Sequence, residues 1–392
     1  MERRRSVLLL PGQGAQRERM AAGLYEAREE FTAPMDEFFG RLGTTGSRLR
    51  SAWLRPAPNP ELDESAVAQP LLLAVGHALG RAVGAAAEPP ALLLGHSVGE
   101  LAAACLAGVF DPADIGALAA ARSRALEGTG YGGMLAVAAS EGQLAEELGG
   151  LGELGGLGDG PAVGADGLAV GADGAAVAGV TAAGVADARV AVGTAFAGVA
   201  VAALNGPRQT VLAGPREALA AVEQHLRDRG FLVRALRSGH AFHSPAMEGA
   251  ALHFAEALAA FGPRAPRAAA GTVVSSRTGV TVTAEQARDP HFWGGQLAAP
   301  VRYWPALREL LDTLGRRPGL LLLDGSADRS LSAPARHHPA VRDGASEVVP
   351  LLAVGRDAGG PADARVFAEA LHRLEEQRDH TGDHTVDHTV VS

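Results

Sequence analysis

The run Ala91-Leu-Leu-Leu-Gly-His-Ser-Val-Gly-Glu-Leu-Ala-Ala-Ala-Cys105 constrains this chain more than any other stretch. Leu92 to Leu94 reads as a short buried strand, and Glu100 to Ala107 as a helix. Between them lies Gly95-His96-Ser97-Val98-Gly99, a G-x-S-x-G element. In a strand-to-helix turn this tight, the serine is held in a strained conformation that only small neighbours permit. Its hydroxyl then stands at the helix N-terminus, where the dipole and the N–H of Val98 favour negative charge on a reacting oxygen. The element therefore predicts a parallel α/β layer with Ser97 as a nucleophile, and the rest of the chain can be tested against that.

Composition narrows the field. A chain of 392 residues with 47% hydrophobic content can bury a large core and suggests two or three domains. The net charge of −9 argues against a nucleic-acid partner, because phosphate binding needs a basic face. The single cysteine, Cys105, excludes an internal disulfide and a cysteine metal cluster; on the apolar face of the helix after the turn it reads as a core thiol. Arg3-Arg4-Arg5 followed by Val7 to Leu10 imitates a signal peptide, but the apolar run stops at Pro11-Gly12. No stretch reads as an uninterrupted membrane helix, so the expectation is a cytoplasmic protein without a membrane partner.

Taken in order, Val7 to Leu10 reads as a first buried strand and Pro11 to Gln16 as a tight loop. Helical patterns follow around Ala21 to Phe39 and Gln69 to Val83, and Asp111 to Asp114 opens a helix through Ala125. From Gly132 the order becomes strand (Met134–Ala139), helix (Glu141–Leu148), two strands (Val199–Leu204, Gln209–Ala213), helix (Pro215–Arg229) and strand (Phe231–Leu236). That is a ferredoxin-like order. The predicted fold is a large hydrolase-like parallel-sheet domain (residues 1–130 and 238–355) with an inserted ferredoxin-like subdomain (131–237). A C-terminal helix and disordered tail occupy 356–392. Residues 149–198 are rich in Gly, Ala and Asp, with Gly164-Ala-Asp-Gly-Leu-Ala-Val170 nearly repeated at Gly171 to Val177. They read as a flexible surface insertion rather than a calcium β-roll. Thr272 to Ser275 and Leu320 to Leu323 read as further strands, the latter as the last, and Phe367 to Gln377 as a terminal helix. His380, His384 and His388 would share a helix face, but Gly382 argues for a disordered tail.

An activated serine needs a base. His96 adjoins Ser97 and leaves the turn in another direction, so it reads as structural. His240 and His243, in Gly239-His-Ala-Phe-His-Ser244, lie where the chain re-enters the cleft, and residue chemistry alone leaves either as the base. With these residues in view, the chain resembles the malonyl-CoA:acyl-carrier-protein transacylase family, and in particular the acyltransferase domains of polyketide synthases. The resemblance runs from about Val7 to Leu352. It rests on Pro11-Gly-Gln-Gly14, Gly95-His-Ser-Val-Gly-Glu100, Arg122, Leu204-Asn-Gly-Pro207, Gly239-His-Ala-Phe-His-Ser244 and Gln296-Leu-Ala-Ala-Pro-Val301, in the family's order.

The resemblance implies a division of labour. Ser97 is the acyl-accepting nucleophile and His243 its base, a dyad without a carboxylate. A backbone carbonyl matching Gln296 orients the imidazole. The N–H groups of Gln13 and Val98 form the oxyanion hole, and Asn205 helps bind substrate. Arg122 holds a free carboxylate by paired hydrogen bonds that lysine could not match; without the resemblance it could be a surface i,i+4 pair. His240 and Phe242, in the His-Ala-Phe-His form, go with malonyl rather than methylmalonyl, because Phe242 fills the space of an α-methyl. The implied partners are malonyl-CoA and an acyl carrier protein, with no cofactor or metal beyond the CoA thioester substrate, and a free-standing, trans-acting role in polyketide or fatty-acid synthesis. Three departures stand out: Gly294-Gly295 where the family often has an Arg, Asp324-Gly-Ser326 after the Leu320 strand, and the insertion. Rival readings are an acyl hydrolase acting on carrier proteins, an α/β-hydrolase esterase using a late histidine such as His337, and a silent docking protein.

Overall fold

The computed structural model describes residues 4–148, 198–316, 318–355 and 358–382. Its strands, in chain order, are β1 (Arg5–Leu10), β2 (Leu92–Gly95), β3 (Gly133–Val137), β4 (Ala200–Gly206), β5 (Gln209–Gly214), β6 (Val233–Ala235), β7 (Thr272–Val274), β8 (Leu320–Asp324) and β9 (Glu347–Pro350). They form two sheets. The larger is wholly parallel, in the order β7-β2-β1-β8-β9. Val7 to Leu10 and Leu320 to Leu323 are buried along their whole length, as a sheet covered on both faces requires. The smaller sheet, in the order β4-β5-β3-β6, pairs antiparallel throughout. With its helices Glu141–Glu147 and Arg216–Asp228 it has the ferredoxin-like arrangement.

Several elements differ from the sequence expectation. The predicted helix Ala21 to Phe39 is two, Ala22–Tyr25 and Glu29–Arg41, and a further helix, Thr44–Leu54, follows. The helix expected at Gln69 starts at Ser65 and runs through Pro70 to Ala86. By length and composition it could cross a membrane, yet 89% of its most apolar window is buried inside the protein. It is the central core helix, packed on the helices Glu29–Arg41 and Val98–Leu106. The strand Leu320 to Leu323 is not the last: β9 pairs with it at the sheet edge. The terminal helix runs Pro361–Gly382, past the expected stop and through His380. Residues 383–392, with His384 and His388, and 149–197, the body of the Gly/Asp-rich insertion, lie outside the described residues.

Candidate active site

β2 ends at Gly95, and the helix Val98–Leu106 begins directly after Ser97. Two glycines make that turn possible. A Cβ on Gly95 would come 2.2 Å from the Glu100 backbone N, and one on Gly99 2.3 Å from the Leu10 carbonyl O. Ser97 itself takes φ 52°, ψ −120°, a conformation costing about 1–3 kcal/mol that the surrounding packing must hold. The strain presents Oγ to the cleft at the helix N-terminus.

His243 comes from the segment that leaves β6. Its Nε2 lies 2.8 Å from Ser97 Oγ, and its Nδ1 3.0 Å from the Ala299 carbonyl O. The carbonyl can only accept, so Nδ1 carries the proton and Nε2 is left to accept from the hydroxyl. Burial, reinforced by the neighbouring His96 and Arg122 charges, lowers the His243 pKa to about 3. The imidazole is therefore neutral at neutral pH, as a base must be. Of the two histidines left open above, the structure brings His243 to Ser97. The orienting carbonyl differs from expectation: the hydrogen bond is to Ala299, with the Gln296 carbonyl near enough to favour the protonated imidazolium as well, against the larger effect of burial. Gly295–Leu297 is one tight 3₁₀ turn, and Ala299 follows it two residues on.

Arg122, in the last turn of the helix Ile115–Ala125, is 2% exposed and so is no surface pair. Its Nε donates to Gln69 Oε1 at 2.8 Å and its Nη1 to Gln296 Oε1 at 3.0 Å. Nη2 is buried without a hydrogen-bond partner. Burial pulls its pKa down to about 9, which still leaves the guanidinium charged at neutral pH. Both partners are themselves held. Gln69 Nε2 donates to Gln13 Oε1 at 2.8 Å, and Gln296 Nε2 to Glu100 Oε2 at 3.2 Å.

Gln13, Gln69, Ser97, Asn205, Phe242 and His243 line a cavity of about 490 Å³ between the two sheets. Arg122 is not in that lining and lies behind Gln69. Val98 is buried at the first position of its helix, where an N–H has no intrahelical partner. Asn205 Oδ1 accepts from His96 Nε2 at 2.8 Å, which turns its amide N–H₂ away from His96. His240 does not line this cavity. It borders a neighbouring groove of about 690 Å³, with Nδ1 2.9 Å from Thr129 Oγ1 and its ring 5.2 Å from that of Phe242.

Sequence reasoning missed Gln69, Glu100 and Ala299. A lone amide in an apolar helix and a carboxylate in an Ala/Leu-rich one were signals for the first two; a backbone carbonyl leaves none. The absent Arg near Gly295 is answered from elsewhere: Arg277 reaches that place, 4.2 Å over the Phe292 ring. Cys105 is buried and its thiol pKa raised by that burial. Among the described residues, no group of three metal-ligating side chains is assembled.

Residues 7–148 and 172–316 match the family model described as acyl transferase domain. The chain is 29% identical over 336 residues to a phenolphthiocerol/phthiocerol polyketide synthase of Mycobacterium tuberculosis, covering 86% of this chain and 19% of that synthase. It thus spans about a fifth of that relative. Among solved structures, the acyl transferase domain of SpnD in complex with 2-(pent-4-yn-1-yl)malonyl superposes with a TM-score of 0.74 at 26% identity, covering 96% of this chain and 77% of that one. The malonyl CoA-acyl carrier protein transacylase of Coxiella burnetii has the same fold, with a TM-score of 0.68 at 20% identity over 95% of this chain and 99% of that one.

Proposed function

The chain belongs to the acyl transferase domain family, that of polyketide synthase acyltransferase domains and malonyl-CoA:acyl carrier protein transacylases, and on that premise we propose that it transfers malonyl units. Malonyl-CoA is the donor, Ser97 the relay, and the phosphopantetheine thiol of an acyl carrier protein the acceptor, reached in trans as part of polyketide assembly. Ser97 Oγ attacks the thioester carbonyl while His243 Nε2 takes its proton. The oxyanion is held by the N–H groups of Gln13 and Val98, each worth about 2.7–4 kcal/mol in such sites. The carbon–sulfur bond breaks, and the proton on His243 goes to the departing CoA sulfur. The carrier thiol then gives its proton to His243 and attacks the seryl ester, and that proton returns to Ser97 Oγ as the ester breaks. The chain's own residues supply every group these steps use.

The observation that carries the malonyl reading is Arg122. It is a buried cation whose two partnered nitrogens meet neutral amide oxygens and whose Nη2 has none. A buried charge left so is costly unless a ligand completes it. A carboxylate on the acyl group would do so with paired, charge-assisted bonds. The malonyl derivative bound by the SpnD domain supports a dicarboxylic acyl group here. Phe242, packed against His240, favours hydrogen over methyl at the α-carbon, a preference worth about 1–3 kcal/mol. Asn205 offers its amide N–H₂ to the acyl or pantetheine carbonyl.

The test is intact-protein mass spectrometry after brief exposure to malonyl-, methylmalonyl- and acetyl-CoA in competition, followed by a separate carrier protein. A malonyl adduct, absent from Ser97→Ala and passed to the carrier, is expected. An acetyl or longer acyl adduct lost to water instead would replace this reading with that of an acyl hydrolase.

A further inference from the structure

We propose that Glu100 is a positioning residue for the acyl-carboxylate clamp: it decides which end of the Gln296 amide faces Arg122, and so where Arg122 Nη2 points. The inference rests on the carboxylate-binding reading of Arg122. An amide side chain has one donating end and one accepting end, whereas a guanidinium only donates. Gln296 must therefore turn Oε1 to Arg122, and its N–H₂ must find an acceptor on the far side. Glu100 Oε2 is that acceptor. With an apolar group at position 100, the N–H₂ would be buried unpaired, and a flipped amide would set donor against donor at Arg122.

The geometry gives this control a direct consequence. Nε held by Gln69, Nη1 held by Gln296 and the side-chain stem at Cδ are three points in the guanidinium plane, and together they fix where Nη2 lies. Glu100 stands in the first turn of the helix that Ser97 opens. The nucleophile and the clamp are thus aimed from one helix turn, which ties the acyl carbonyl and the acyl carboxylate to a common reference. A second feature marks Glu100 as more than a packing residue. It is 3% exposed, and its Oε1 is buried without a hydrogen bond, so it is kept at a site where a carboxyl group is costly. Ser275, the Ser276 backbone and Arg277 lie near enough to favour its ionised form, against burial that disfavours it.

The test reads the ratio of malonyl to acetyl acylation rates at Ser97 in the full chain, together with the melting temperature. Glu100→Met should lower that ratio about tenfold, mainly through a higher KM for malonyl-CoA. Glu100→Gln still offers an oxygen to Gln296 and should stay within about threefold of the parent. A purely structural role would slow both substrates alike and leave the ratio unchanged, which overturns the proposal. Should Glu100→Met not fold, Glu100→Asp decides: it keeps the charge but withdraws the oxygen by one methylene, and a parental ratio in it overturns the proposal. Arg122→Met separates the two levels. If it keeps the parental ratio, the clamp reading falls and takes this inference with it. If it loses the ratio while Glu100→Met keeps it, only the role of Glu100 falls.

Discussion

The parallel sheet and the small antiparallel sheet face each other across the cavity, yet they are built on different packing rules. In the first, β1 and β8 are covered on both faces, and helix Ser65–Ala86 fills the core beneath. In the second, β4 and β5 are also buried on both faces, one under helix Arg216–Asp228 with Leu219, Val222 and Leu226 and the other against the large part, but the edge strand β6 leaves Arg234 and Ala235 exposed. The polar groups divide in the same way. Gln13, Gln69, Ser97, Glu100, Arg122, His243 and Gln296 are all carried by the large part, where hydrogen bonds join Gln13, Gln69, Arg122, Gln296 and Glu100 in one chain and Ser97 with His243 in another. The small part contributes Asn205, the cavity wall and, at its edge, Arg234 and Arg237. The parallel sheet, covered along its central strands, fixes its strand ends, which is where strained and charged groups can be held; the small sheet, open at its β6 edge, closes over them.

This contrast can be broken by experiment, and the largest effects should come from the large part. Ser97→Ala should abolish acylation, and His243→Ala should slow it by about 10³-fold or more, read by single-turnover kinetics. Next, Arg122→Met should lower kcat/KM for malonyl-CoA by about 10²-fold, the size of a lost charged pair, and lower the malonyl-to-acetyl ratio with it. Asn205→Ala, on the small sheet, should cost only about tenfold, and equally for both acyl groups; a loss as large as that of His243→Ala would put the small sheet inside the chemistry. The smallest effect is on stability. His77 and His243, both in the large part, are held by burial at about 3, far below the ordinary histidine value. Between about pH 3 and 6.5 the unfolded chain therefore binds more protons than the folded one, so stability rises with pH across that window and falls on acidification. The melting temperature should drop by several degrees from pH 7 to pH 5, and His77→Met should reduce that drop.

What could be read from sequence follows from the same packing. The leucine runs of β1, β2 and β8 are strands that any period-free apolar run between turn residues would announce. β9 was hidden because Val348-Val-Pro-Leu-Leu is short, ends in proline and lies half-buried at the sheet edge, so it resembles a linker. The helix Thr44–Leu54 was hidden by its glycine, serines and arginines; Gly46 serves there to let the helix approach the Phe39 backbone. In the site, the chemistry-bearing side chains were legible and their supports were not. Gln69 and Glu100 act through contacts across long sequence separations, and nothing local distinguishes an amide that holds an arginine from one that merely caps a turn.

The anchor of His243 carries a consequence for how this site can change. A triad carboxylate can be lost by a single codon change, but the Ala299 carbonyl belongs to the main chain, and every amino acid encoded at that position would supply it. Scanning substitutions at Ala299 will report the size of a methyl group and stay silent about the oxygen. Only a change in the path of the turn, or an edit to the peptide bond shared with Pro300, can remove that acceptor. The imidazole's tautomer is thus set by a part that heredity can move but not delete.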